Sequence, residues 1–244
     1  MIRFNGGIRI VQTMKSKKNR EYLIVGERLD ERITINYKAF YVIKSIYNSL
    51  GDKNKLDKIY FKHKKFIDDL IELGVIVDDN KNEKSIIHLS SGCVKLPLSS
   101  LNIELTDGCN LNCIHCYNDF GHRKVNFLSL DSIVLMEDDL NELDTFSVSL
   151  TGGESTIHPQ FSEIVDFFIK RGYEITIFTN GYKPDVICDV IKKYRYKKIT
   201  IKISLDGFES IHNRIRGNNA SYRNVIKLLE ELKEYDNAKV IVSS

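Results

Sequence analysis

The sequence predicts an α/β protein: a parallel sheet, doubly wound or curled into a (β/α) barrel, preceded by a small α+β unit of winged-helix-like type. Three observations carry this. From Leu98 onward, apolar strand-like runs alternate with amphipathic helical stretches, and repeated strand–helix–strand units build parallel sheets. Ahead of that point strand patterns come first and helical patterns second, which describes a separate small unit. Lastly, chemically unusual residues follow successive strand runs, as TDGCN, TGGES, TNG and SLDG. Ligands on parallel α/β sheets bind at the carboxyl ends of the strands.

In the front unit GIRIVQT (7–13) and EYLIVGE (21–27) read as strands joined by the basic turn MKSKKNR, and the alternating ERITIN (31–36) reads as a third. A helix follows over 37–50, with Phe40, Ile43, Ile46, Tyr47 and Leu50 at three- and four-residue spacings and Gly51 at its C-cap. A second carries Phe66, Ile67, Leu70 and Ile71 on one stripe and ends at Gly74. VIVDD and SIIHLS are expected to close a wing. The boundary falls near Ser90-Ser91-Gly92, giving domains of residues 1–90 and 98–244. In the second domain the strands are expected at 100–106, 146–152, 173–180, 198–207 and 238–244. Helices are expected at 129–143, 159–171, 184–194 and 220–235. Asp131 and Pro159 sit near helix starts, and Gly172 near an end.

The totals bound the function. A chain of 244 residues with 42% hydrophobic and 28% charged residues has the composition of a globular protein, not a disordered or collagenous one. It shows no apolar run of the ~20 residues a membrane span needs and no secretory signal pattern, so no membrane partner is expected. Five cysteines, three of them clustered, do not make a disulfide framework, and a reducing cytoplasm is the expected location. The net charge of +3 is uneven. Residues 1–95 carry 19 Lys/Arg against 12 Asp/Glu, a balance of +7, and residues 96–244 carry 17 against 21, a balance of −4. Either the front is simply a solvated surface, or it attracts an acidic partner.

The segment CNLNCIHCY places Cys109, Cys113 and Cys116 within eight residues. A structural zinc ion wants four protein ligands in a tetrahedron. His115 directly precedes Cys116, and side chains of adjacent residues rarely converge on one ion. A [4Fe–4S] cube is larger, and one short loop can hold three of its corners. Both the iron–sulfur and the zinc readings stand at this point. An unfilled fourth corner would be open to a cofactor or substrate.

Spacing and context together carry a resemblance. C-x3-C-x2-C after the first strand of a βα series, followed one βα unit later by Gly152-Gly153-Glu154, resembles the signature of the radical S-adenosylmethionine (radical SAM) superfamily, with His115 in its aromatic position. The resemblance covers residues 98–244 and implies a partial (β/α) radical SAM barrel. It implies a [4Fe–4S] cluster on Cys109, Cys113 and Cys116, whose open iron chelates the amino and carboxylate groups of S-adenosylmethionine. One electron then cleaves the sulfonium bond, and a 5′-deoxyadenosyl radical abstracts hydrogen from the substrate. It further implies that Gly152 and Gly153 let the backbone approach the methionine end, and that Glu154 or nearby carbonyls accept from the ammonium. Ser204 and Asp206 are placed at the ribose or carboxylate, and Tyr117 and the His115 backbone near the adenine. No catalytic residue beyond these cluster and cofactor contacts is singled out. Plainer roles stand beside these: a strand-to-helix turn at Gly152-Gly153, loop caps at Ser204 and Asp206, and a turn at Thr179-Asn180-Gly181. The run SLDGFESIHNRIRG, with His212 and Arg216-Gly217, resembles the peptide- and protein-modifying branch, or else is a surface loop with a basic residue. Cys93 and Cys188 are expected to be bystander thiols.

The front unit resembles the PqqD-like leader-recognition domain of ribosomal-peptide maturases, which binds its peptide as an added β-strand. The basic run YFKHKKF (60–66) keeps a DNA-binding winged helix as the alternative; a supporting packing domain is the plain one. Two departures from the family pattern stand out: Ser155 follows GGE where proline is usual, and the run of βα units stops at the fifth strand of six. The expectation is a fragment, a truncated gene product, or a sheet completed by a second chain. The expected function is hydrogen abstraction from a precursor peptide with a leader segment, served by an electron donor and with no nucleic-acid partner. The competing readings are a non-catalytic peptide- or DNA-binding protein with a structural metal loop, and a maturation enzyme acting on a folded protein such as a sulfatase.

Overall fold

The computed structural model describes residues 2–13, 21–78, 85–91, 97–118, 120 and 125–244. The MKSKKNR turn and Cys93 lie outside them. The chain divides into two compact units. One is Met1–Ser99 with Asp138–Phe146 and Phe168–Glu174; the other is Ser100–Glu137 with Ser147–Phe167 and Ile175–Ser244.

The first unit opens with β1 (Ile2–Phe4), β2 (Ile8–Gln12), β3 (Glu21–Gly26) and β4 (Ile33–Asn36), followed by α1 (Tyr37–Asn48) and α2 (Lys53–Glu72), then β5 (Ile76–Asp78) and β6 (Ile87–Leu89). Asn36 and Asp52 start the two helices, each accepting from a backbone N–H three residues on, the usual N-cap arrangement. The sheet order is β4-β3-β2-β6, with β4 at one edge among the described residues. The apolar stripes of α1 and α2 bury Phe40, Ile43, Ile46, Ile67 and Leu70 together with Ile8, Ile10, Tyr22 and Ile24. Tyr22 and Phe40 stack with ring centroids 3.9 Å apart. Each such side chain contributes roughly 1.5–3 kcal/mol by leaving water.

VIVDD and SIIHLS do form strands, but they do not close a wing together. β5 pairs antiparallel with β1, while β6 joins β2 in parallel. The strand at Ile2–Phe4 carries only three residues, too few for its alternation to register in the sequence. A buried polar cluster also belongs to this unit. Arg9 donates to the Thr145 carbonyl and to Asn141 Oδ1, each at 2.9 Å. Asp144 accepts from the Gln12 amide at 3.0 Å and pairs with His88 Nε2 at 2.9 Å.

The second unit is built on β7 (Ser100–Glu104), β8 (Ser147–Thr151), β9 (Glu174–Thr179), β10 (Ile199–Ser204) and β11 (Ala238–Ser243). Between them in the chain run α3 (Leu130–Leu135), α4 (Glu137–Glu142), a 3-10 turn (Ser155–Ile157), α5 (Phe161–Lys170), α6 (Pro184–Lys193), α7 (Glu209–Arg216) and α8 (Ser221–Leu232); α4 past its first residue and the last turn of α5 are counted with the first unit. The sheet order is β11-β10-β9-β8-β7, and β7 with β8, β9 with β10 and β10 with β11 pair in parallel. The strands follow one another without the reversal of a doubly wound sheet, which is the order of a barrel wall.

Alternation along these strands sorts their residues. Val148 and Leu150, Ile175 and Ile177, and Ile199, Ile201 and Ile203 are buried, as are the apolar faces of α5, α6 and α8. The intervening residues Ser147, Ser149, Thr151, Thr176, Phe178, Thr200, Lys202 and Ser204 are only partly buried. One sheet face is thus hydrocarbon against helices, and the other is largely polar.

The stretch after SLDG corrects the loop reading. It is α7, closed by Gly217 in the left-handed conformation (φ 65°). Its apolar residues are too few to show a helical period. The buried positions His212 and Arg216, one turn apart, are polar.

Candidate functional site

Just past β7, Thr106 Oγ1 accepts from the Gly108 amide at 3.0 Å and donates to the Asn126 carbonyl at 2.7 Å, fixing the entry to the cysteine loop. Backbone bonds tie this loop to the end of β8: the Gly153 amide donates to the Thr106 carbonyl and the Glu154 amide to the Gly108 carbonyl, both at 2.9 Å. The crossing is so close that a Cβ on Gly152 would lie 2.3 Å from the Thr106 oxygen, and one on Gly153 2.1 Å from the Gly108 oxygen. Both glycines are demanded by main chain meeting main chain. The geometry adds this reason to the ligand approach expected from sequence.

Glu154 is buried. Its Oε1 accepts from Thr156 Oγ1 (2.6 Å), Thr179 Oγ1 (2.8 Å) and the Thr156 amide (3.2 Å), and its Oε2 accepts from the Asn180 amide (2.6 Å). Burial pushes its pKa up, against these bonds. The carboxylate is largely spent on locking the ends of β8 and β9 together. Asn180 continues the link, donating from Nδ2 to Asn110 Oδ1 at 2.9 Å and approaching Cys109 Sγ at 3.8 Å.

On the other side, Asp206 accepts two parallel bonds from Arg216, Nε to Oδ2 at 2.6 Å and Nη2 to Oδ1 at 2.9 Å. His115 Nε2 stands 3.4 Å from Oδ1. Burial works to raise the pKa of Asp206, but the Arg216 and His115 contacts outweigh it and hold the carboxyl below its ordinary value. These partners, rather than the cavity, take up its oxygens. His212 is fully buried, and burial lowers its pKa. The neutral ring suits its contacts, with Nδ1 accepting from the Asp206 amide at 3.2 Å and the protonated Nε2 donating to Ser221 Oγ at 3.0 Å.

These pieces surround one cavity of about 300 Å³ at the carboxyl ends of the strands. It is lined by the residues that the sequence resemblance assigns to cluster and cofactor, Cys109, Cys113, Cys116, His115, Tyr117, Gly152, Gly153, Glu154, Ser204 and Asp206, and by Thr179 and Asn180 of the expected turn, whereas Gly181, His212 and Gly217 are not part of its lining. Sequence reasoning gave no place in it to Thr151, Phe178 and Arg216, which also line it. Thr151, Phe178 and Ser204 are the last inward positions of their strands, so the period-two alternation carried a signal for them. Asn180 was legible only as part of a turn. Cys188 does not line this cavity; its thiol donates to Glu231 at 3.0 Å and is pushed up to about 12, by burial first.

The donor set has a definite chemistry. Among the described residues no three His, Cys, Asp or Glu groups are arranged to hold a single metal ion. The three thiols instead stand along the wall of a cavity. That suits a polyatomic, thiophilic group held corner by corner better than a tetrahedral ion. Burial pushes the Cys109 and Cys113 thiols up, so such a group would displace protons as it binds. No helix among the described residues is long and apolar enough to cross a membrane.

Comparison with known proteins agrees with this chemistry. The subtilosin biosynthesis protein AlbA of Bacillus subtilis is 29% identical over 168 residues, covering 68% of this chain and 36% of that protein. The mycofactocin maturase MftC of Mycolicibacterium smegmatis is 31% identical over 147 residues, covering 58% and 36%. The chain thus spans about a third of the length of these curated relatives. The crystal structure of Streptococcus suis SuiB bound to precursor peptide SuiA matches with a TM-score of 0.56 at 17% identity, covering 100% of this chain and 64% of that one; this is a likeness of fold. The model of the Radical SAM superfamily matches residues 103–243. That is more than half of the 244 residues and takes in the whole cavity wall up to β11, so this chain belongs to the radical SAM superfamily, whose cofactors are a [4Fe–4S] cluster and S-adenosylmethionine.

Proposed function

We propose that this chain forms the cluster-binding and peptide-recognition part of a cytoplasmic enzyme that abstracts hydrogen from a ribosomally made precursor peptide. The observation that carries the reading is the cavity at the strand ends, lined by three cysteines and by the GGE, Ser204 and Asp206 positions. Cys109, Cys113 and Cys116 would hold three irons, leaving the fourth to S-adenosylmethionine. When bound, the cluster supplies the electron that breaks the sulfonium bond of that cofactor. The protein's own contribution is placement and shielding. The strand end at Gly152-Gly153 presents backbone with no side chain in the way. His115, Tyr117 and Ser204 provide polar and aromatic wall. Leu111, Phe120 and Phe178 keep water from the reacting centre.

The peptide half of the reading rests on the first unit. β4 offers a sheet edge among the described residues, and an extended peptide adds to such an edge by main-chain hydrogen bonds. Tyr37 and Tyr41 on the following helix are exposed and in edge contact, 4.4 Å between centroids, a surface suited to side-chain choice. AlbA and MftC are named for bacteriocin biosynthesis and mycofactocin maturation, and SuiB was crystallised with a precursor peptide. An electron donor completes the set of partners.

Anaerobic reconstitution with iron and sulfide, then dithionite and S-adenosylmethionine, tests this. Expected are about four irons per chain and formation of 5′-deoxyadenosine, with both lost in Cys113→Ala. One zinc and no iron would leave a binding protein with a structural metal loop.

A further inference from the structure

Arg216 sits at the last turn of α7 and is nearly buried, 8% exposed. Two of its nitrogens are committed to Asp206 in a fork, which fixes the plane of the guanidinium. The third, Nη1, is thereby aimed at Cys113 Sγ, 3.7 Å away, within reach of an N–H···S hydrogen bond. The aim does not depend on this one contact. The end of α7 is fastened to the cysteine loop independently, because the Ile114 amide donates to the Ile215 carbonyl at 2.9 Å. A Cβ on Gly217 would lie 2.8 Å from the Asn112 carbonyl oxygen, so the helix end and the loop are in direct backbone contact. Lysine could not replace this residue: one ammonium has no rigid fork to hold a carboxylate and a thiolate in one plane.

We infer that Arg216 is a positioning residue for the cluster held at Cys113, donating a hydrogen bond and positive charge to that one sulfur so as to make the cluster easier to reduce. The inference rests on the reading of the cysteine loop given above. Hydrogen bonds to ligand sulfurs and the net charge around a cluster set its potential. A donor aimed at a thiolate favours the more negatively charged, reduced state. Asp206 and His115 form the outer support. Asp206 orients the fork, and its negative charge keeps the pair near neutral, which makes the directed N–H the larger effect and the bulk charge the smaller one.

The test is an EPR-monitored redox titration of anaerobically reconstituted wild-type protein, Arg216→Gln and Arg216→Lys. EPR reads only loaded molecules, so partial loading of a variant does not blur its potential, and Arg216→Lys keeps the charge and the packed stem. The expected result is a midpoint shifted to more negative potential in both variants, with altered g-values of the reduced cluster. Wild-type potential and g-values in both loaded variants would overturn the role of Arg216 while leaving the cluster reading intact. Absence of iron and sulfide in the wild type would overturn the cluster reading itself.

Discussion

Gly153 has no room for a methyl group. The nearest atom to an added Cβ is the backbone oxygen of Gly108, at 2.1 Å, and backbone cannot swing aside as a side chain can. Gly153→Ala is expected to cost about 1–3 kcal/mol, the range of overpacked sites, and to lower the urea midpoint of the metal-free protein; an unchanged midpoint would show that the crossing is looser than drawn. Its neighbour Glu154 behaves differently. The carboxylate is acceptor-only and meets four donors. Glu154→Gln replaces one acceptor oxygen with an NH2 group facing donors. A loss of roughly 1–3 kcal/mol follows from the unsatisfied groups, read in the same denaturation experiment. If Glu154→Gln were as stable as the wild type, the carboxylate would have to be free for a ligand.

At the scale of elements, the 3-10 turn after β8 (Ser155–Ile157) ends on His158, whose ring joins two segments. Nδ1 accepts from the Gln160 amide at 3.0 Å and Nε2 stands 2.9 Å from the Leu128 carbonyl. Both contacts require the neutral ring with its proton on Nε2. Burial lowers its pKa, more than the Leu128 contact and the Glu163 charge raise it. The unfolded chain therefore takes up a proton first as pH falls through about 6.5, while the folded chain does not. The stability His158 contributes is present above that value and shrinks as pH drops toward the lower folded pKa. Comparing urea midpoints at pH 7.5 and 5.5, the wild type is expected to lose more stability than His158→Gln; equal losses would mean the ring is not held neutral. The same turn shows what was legible. The strand–turn–helix rhythm was visible because Val148 and Leu150 alternate and Ile164, Val165 and Phe168 recur at helical spacing. α7 was not, because its buried face is polar and its existence depends on Asp206 and Ser221 arriving from outside the segment.

For the whole molecule, local pattern specified four strands of the second unit to within two residues, while the one expected over 198–207 ends at Ser204, because Leu205-Asp206-Gly207 turn toward α7. It could not specify which strand takes which partner. β5 and β6 both read as strands, yet pairing is a long-range choice made by the core around Phe4, Ile8 and Ile76. Likewise Arg216 is 103 residues from Cys113, and no spacing rule connects them. Charge, by contrast, is read directly from the chain. Residues 1–95 hold 19 cationic against 12 anionic side chains, and residues 96–244 hold 17 against 21. α2 concentrates part of the excess, with Lys58, Lys62 and Lys65 following one another at three- and four-residue steps, so that they share one side of the helix. If the first unit captures an acidic leader, long-range attraction should speed encounter and be screened within about 10 Å at 0.1 M salt. Fluorescence anisotropy with a labelled acidic peptide should then show an affinity that falls several-fold between 50 and 300 mM salt, mainly through the on-rate. Replacing Lys58, Lys62 and Lys65 by glutamine should flatten that dependence while leaving the fold unchanged, since all three side chains lie on the exposed helix surface. A salt dependence identical in the triple variant and the wild type would move recognition to β4 and its main chain alone.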